Sequence, residues 1–228
     1  MGKIKKHKNL RGDEMSWKEL EKKIAAYEAK GVEVPTENLV KTAEQIEGIR
    51  KASALNTAVL DEVEKNIKAG MSTEDINTIV YDFTTAHGGI PAPLNYEGFP
   101  KSVCTSVNEE VCHGIPSKNV VLKSGDIVNV DATTILRGYY GDASRMFMIG
   151  KVTPARKDLV NITKECMRRG VAAAKGWSRV GDIGAAIASF AHKHGYSVVW
   201  EFGGQGVGLD MHEEPFVCHI SKKNNGMF

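Results

Sequence analysis

Two aspartates stand eleven positions apart in DIVNVDATTILRGYYGDASRMFMIG, residues 126–150: Asp131 and Asp142. The alternating run on either side of Arg137–Gly138 predicts a β-hairpin closed by a two-residue turn there. With that turn, Leu136 faces Tyr139, Thr133 faces Asp142 and Asp131 faces Ser144. Side chains alternate faces along a strand, so Asp131, Thr133 and Asp142 project to one side, with the two carboxylates as diagonal neighbours. Ile127, Ile135, Tyr140, Met146 and Met148 share that side. Two like charges on a largely apolar surface are costly unless a cation or a shared proton compensates them. A carboxylate pair of this kind suits a hard or borderline divalent ion. A register slip of one residue would separate the two, and the plainer reading is a solvent-facing pair of strand aspartates.

Two carboxylates are too few for tight binding, so other donors are expected elsewhere. His113, in VNEEVCHGIP, lies in a loop with Gly114 and Pro116, and His212 lies in MHEEP. HEEP is not the HExxH of zinc proteases, and either histidine alone is more often structural than catalytic. The stretch FGGQGVGLDMHEEP, residues 202–215, crowds glycines around Gln205. It lacks the GK[ST] ending of a phosphate loop, and Pro215 argues against the long helix of a dinucleotide site. A tight turn that exposes the side chain of Gln205 is what it predicts.

These residues need elements to hold them. SWKELEKKIAAYEAKG predicts a short helix near the start of the chain. Thr42 and Gln45 form a T-x-x-Q capping box for a long helix, with Ile46, Ile49, Ala52, Leu60, Val63 and Ile67 at helical spacing and Gly70 after it. Ser72 and Asp75 open a second helix that runs to His87 and stops at Gly88–Gly89. Loops and short strands follow to residue 123, then the hairpin. Helices return around 155–175 and 182–194, the second between Asp182 as cap and Gly195 as stop. YSVVWEF predicts a strand leading into the glycine-rich stretch, and NNG marks a turn near Phe228. Helix pair then strands, repeated once, predicts two related α+β halves.

Composition excludes several classes. With 42% hydrophobic and 25% charged residues the 228-residue chain is an ordinary globular one, and a formal charge of +2 implies no obligatory nucleic-acid or membrane partner. No apolar run nears the roughly 18 residues of a membrane span. MGKIKKHKNLRGDE has no apolar stretch after its basic residues, so no secretory signal is expected, and Lys6 stands where a myristoylation motif needs Ser or Thr. Cys104, Cys112, Cys166 and Cys218 are too few and too widely spaced for a disulfide framework or a CxxC zinc site. A cytoplasmic protein is expected. Lys3, Lys5, Lys6, Lys8 and Arg11 form a basic arm, either a solvated terminus or a contact for ribosomal RNA or another polyanion.

YEGFPKSVCTSVNEEVCHGIP, SGDIVNVDATTILRGYYGDASRMF and GGQGVGLDMHEEP together resemble, in order and spacing, the signature segments of type I methionine aminopeptidases. The resemblance runs from about residue 40 to the end. It implies an α+β pita-bread fold (creatinase/aminopeptidase-like) with pseudo-two-fold halves, built on residues 41–228 behind an extension of residues 1–40. It implies removal of the initiator methionine from nascent polypeptide N-termini, by a monomer that uses two divalent metal ions (Co, Mn, Fe or Zn) held by two aspartates, one histidine and two glutamates. Asp131 and Asp142 match the aspartate ligands. His113 and His212 match the histidines that contact substrate and stabilise the tetrahedral intermediate, and Tyr96, Phe99, Cys104 and Met211 match the lining of the methionine pocket. Two departures accompany the likeness. Gln205 stands where the family pattern G-H-G-x-G has its histidine ligand, and the segments that carry the two glutamates have no counterpart before Phe228. The expectation is therefore an incomplete catalytic domain with impaired turnover, or a non-catalytic module that keeps the peptide pocket or a ribosome contact.

Overall fold

The computed structural model describes Lys6–Lys8 and residues 14–228. Most of the basic arm lies outside these residues. The elements are β1 (Lys6–Lys8), β2 (Glu14–Ser16), α1 (Trp17–Glu28), α2 (Ala43–Asn66), α3 (Thr73–Ala86), β3 (Ile90–Pro91), β4 (Cys104–Val107), β5 (Ile127–Leu136), β6 (Tyr139–Met148), α4 (Pro154–Ala173), α5 (Val180–Lys193), β7 (Gly203–Gly206) and β8 (Glu213–Cys218). They fall into two compact units. Unit one holds the residues up to Glu44 together with 161–206 and 212–228; unit two holds 45–160 and 207–211.

Unit two is built on the β5–β6 hairpin. Its register is the expected one, with Leu136 opposite Tyr139, Thr133 opposite Asp142 and Asp131 opposite Ser144. Arg137 and Gly138 both adopt positive φ (53° and 82°), as a two-residue hairpin turn of matching twist requires. β4 and β3 pair antiparallel with β5, Cys104 opposite Asp131 and Ile90 opposite Ile135.

One face of this sheet is covered by α2 and α3. Val128, Val130 and Ala132 of β5 form a core there with Val59 and Val63 of α2 and Ile76 and Val80 of α3. A buried amide ties helix to strand: Asn56 donates to the Ala132 carbonyl at 2.8 Å and accepts from the Thr134 hydroxyl at 2.9 Å. The backbone of α2 crosses β6 so closely at Gly141 that a Cβ there would meet the main chain of Ala52 and Ser53. α3 opens as expected: the Ser72 hydroxyl accepts from the Asp75 N–H, and the Asp75 carboxylate accepts from the Ser72 N–H.

In unit one, α5 packs on β8, close enough at Gly184 that a Cβ would strike the Cys218 carbonyl. Three expectations are corrected in this unit. Asp182 does not cap α5 as its first flanking residue. The helix begins at Val180, and the Asp182 carboxylate reaches back to the Arg179 N–H at 3.0 Å and across to the Asn224 N–H at 2.7 Å. YSVVWEF is not a strand: residues 196–202 join no strand ladder among the described residues, and Trp200 is 72% exposed. Without ladder partners, apolar alternation alone does not hold a strand. The glycine-rich stretch, in turn, is not a tight turn. Gly203–Gly206 is β7, paired with β8 across a bulge at which Gln205 stands opposite Glu214–Phe216. Three glycines and a bulge let two backbones approach: a Cβ on Gly206 would meet the Glu214 carbonyl.

Candidate metal centre

The hairpin register decides the central question. Asp131 and Asp142 lie on the same face of unit two, opposite the helical core, and both are half-buried. The Thr133 hydroxyl, buried between them, donates to Asp142 Oδ1 at 3.0 Å. Cys104 continues the row from β4, directly across from Asp131. Burial, reinforced by the charges of Asp131 and Asp142 and by the Cys112 thiol, pushes the Cys104 thiol up to about 12. Cys112 is raised too, by burial first and then by Asp131 and Glu110. Both thiols therefore stay protonated at neutral pH, as hydrogen-bond groups rather than thiolates.

His113 sits exposed at the rim of the same unit, in left-handed backbone (φ 54°). Neighbouring residues fix that conformation. The Gly114 carbonyl accepts from the Thr105 N–H at 2.8 Å, and the Gly114 N–H donates to the buried Ser106 hydroxyl at 3.2 Å. A Cβ at Gly114 would strike the Thr105 carbonyl, so only glycine lets the loop lie against β4.

The residues matched to a methionine pocket are also in unit two. Phe99 and Met211 are half-buried, Cys104 is buried and Tyr96 is 36% exposed, in a short helical turn over Tyr96–Gly98. The segment that ends in Met211 is tied to the hairpin by the Tyr140 N–H, which donates to the Gly208 carbonyl at 2.8 Å. Gln205, half-buried in β7, and His212, exposed at the start of β8, belong to unit one.

Among the described residues, no group of three or more His, Cys, Asp or Glu side chains is placed to hold a metal ion. The aspartate pair is thus a partial donor set. Gly114 was noted in the loop with His113, but Ser106 was not; the HG pair in CHGIP is the signal, since a glycine beside a loop histidine marks a close backbone approach.

A model of metallopeptidase family M24 matches residues 47–227. Methionine aminopeptidase A of Synechocystis sp. is 46% identical over 182 residues, 80% of this chain and 72% of that protein. The crystal structure of methionine aminopeptidase from Rickettsia prowazekii superposes with a TM-score of 0.79 at 42% identity, over 82% of this chain and 75% of that one. Prolidase from Pyrococcus furiosus, at 21% identity and a TM-score of 0.69, shares the fold. The architecture is the α+β pita-bread fold of these proteins.

Proposed function

The chain belongs to metallopeptidase family M24, and from that premise we propose that it acts on the N-terminal methionine of polypeptides as a methionine aminopeptidase, with low turnover. The observation that carries the reading is the shared face of Asp131 and Asp142, with the buried Cys104 of β4 directly across from Asp131. In this reading residues 41–228 are the catalytic domain. Tyr96, Phe99, Cys104 and Met211 take the methionine side chain, and His113 and His212 contact the peptide backbone around the scissile bond. The protein works in the cytoplasm as a monomer on nascent chains, and the basic arm touches the ribosome. Among the described residues, no helix is long and apolar enough to cross a membrane.

Family membership implies a divalent ion, which in a metallopeptidase polarises the scissile carbonyl and supplies the nucleophile. The donors of this chain fit it only in part. Two carboxylates on one face are an opening for an ion, but no third His, Cys, Asp or Glu joins them among the described residues, and Cys104 is held as a thiol. Gln205, at the position matched to the histidine ligand, offers an amide oxygen, a weaker donor toward transition metals than imidazole. Among the described residues, the donors do not make up a two-metal centre. What the residues present can do is orient a peptide. Phe99 and Met211 take the methionine side chain out of water, and the thiol of Cys104 meets it without adding charge.

The shortage of donors favours a second reading, in which the chain binds peptide N-termini or the ribosome without turning over. One assay separates the two. The 228-residue chain is incubated with Met-Ala-Ser and excess Mn²⁺, Co²⁺ or Fe²⁺, and free methionine is measured. Slow, metal-dependent release that Asp131→Ala and Asp142→Ala abolish supports the aminopeptidase. Binding of the peptide without release at any metal concentration supports the binding module. Gln205→His alone is expected to leave release unchanged, since one imidazole does not complete the set.

A further inference from the structure

The family model begins at residue 47, yet the chain before it belongs to unit one and meets the rest of that unit through two side-chain anchors. At the first, α1 presents Leu20, Lys23, Ile24 and Tyr27 as its half-buried stripe. The Tyr27 ring stacks on Trp177 (5.8 Å between centroids, 21°) and lies 4.1 Å from Phe228, and the Lys23 ammonium sits 3.7 Å over the Trp177 ring. Trp177 itself has φ 66°, a costly conformation for a bulky side chain. That backbone is stable only because its ring has partners, and Tyr27 and Lys23 are among them. At the second place, the Lys41 ammonium meets the Glu213 carboxylate at 2.6 Å, both side chains mostly out of water at 16% and 12% exposure.

Between these anchors the Phe228 N–H donates to the Glu33 carbonyl at 3.3 Å, and Val32, Val34 and Pro35 are half-buried. A cavity of about 250 Å³ is lined by Glu33, the start of α5, and Pro215 and Phe216 of β8. The segment is thus held by separate contacts beside a cavity. What it fastens needs fastening: β7 and β8 are a two-stranded sheet, which alone is marginal in water. Glu213 opens β8 opposite Gly206 and shares a peptide bond with His212.

We infer that residues 20–41 form a strap whose Lys41–Glu213 ion pair fixes the start of β8 and so acts as a positioning device for His212. The link to His212 rests on the reading of function above; the control of β8 does not. The backbone of His212, next to Glu213, is placed only as well as the start of β8 is. The ion pair replaces a neighbouring strand as the constraint at that end.

Hydrogen exchange followed by mass spectrometry, with binding of Met-Ala-Ser measured in parallel, tests the inference. In Lys41→Met, amide exchange across residues 204–217 is expected to rise about tenfold, while Val128 and Val130 in unit two keep their protection. Lys41→Arg, which keeps the charge and reach, restores protection. Tyr27→Ala, which releases the other anchor, loosens 204–217 in the same direction. Peptide affinity falls about fivefold in Lys41→Met and recovers in Lys41→Arg. Unchanged exchange over 204–217, or an equal loss in unit two, overturns the strap. Raised exchange with unchanged peptide affinity overturns its link to His212. A wild-type chain that binds no Met-Ala-Ser sinks the functional reading and leaves the exchange result to decide the strap.

Discussion

At the scale of single residues, the site is defined by two carboxylates of like charge on one surface. Asp131 and Asp142 occupy one face of the hairpin, and the Thr133 hydroxyl donates to Asp142. Groups placed for a ligand rather than for the fold cost stability when the ligand is away. In EDTA, Asp131→Asn is therefore expected to raise the melting temperature by about 2 °C, by relieving like-charge repulsion. A drop would mark Asp131 as a structural carboxylate. Burial governs the thiols, and the same charges reinforce it. Because the Cys104 thiol is pushed up to about 12 while Cys218 is exposed, iodoacetamide at pH 8 should label Cys218 first and Cys104 last. Peptide mass mapping over time reads that order. Asp131, Asp142 and their shared face were legible in the sequence because strand alternation has a period of two and tolerates no slip. The support of His113 by Ser106 and Gly114 was not, since it depends on how a loop folds back on β4.

At the scale of elements, the face that carries the site is set by what covers the other face. α2 lies across β6 where Gly141 offers no side chain, and Gly48 of α2 makes the matching concession to the Tyr139 ring. Gly141→Val would force helix and hairpin apart and is expected to cost about 3 kcal/mol, measured by urea denaturation. Loss of less than half of that would mean the helix shifts easily. The hairpin, α2, α3 and α4 were foreseen from turn residues, capping pairs and helical spacing, all local signals. YSVVWEF failed because a strand is made by its neighbours: Tyr196, Val198, Trp200 and Phe202 alternate suitably and still find no ladder among the described residues. The N-terminus of α5 was misplaced for a related reason. An Asp near a helix start can accept from its own first turn or from a distant segment, and Asp182 does both.

At the scale of the whole molecule, the two compact units carry different acid-sensitive groups, so they should respond to pH separately. The docking of residues 20–41 on unit one was invisible in the sequence, because Tyr27 with Trp177 and Lys41 with Glu213 join positions far apart in the chain. In unit one, burial holds the His219 imidazole below its usual 6.5. The unfolded chain then binds a proton more readily than the native one just below pH 6.5. The stability tied to neutral His219 is full above that value and is lost as pH falls through the depressed native pKa. In unit two, burial alone would raise Asp126, but the Asn108 amide, the Lys123 N–H and Arg156 hold it below its usual 3.8. Its contribution is present above 3.8 and disappears only at lower pH. Acidification should therefore loosen unit one first, near pH 6 and below, and unit two only under strongly acid conditions. Hydrogen exchange at a series of pH values reads the two transitions apart. His219→Gln should flatten the upper one and Asp126→Asn the lower, each leaving the other in place. A single coincident transition, unmoved by either substitution, would mean that neither group governs the acid response and that the two units open as one.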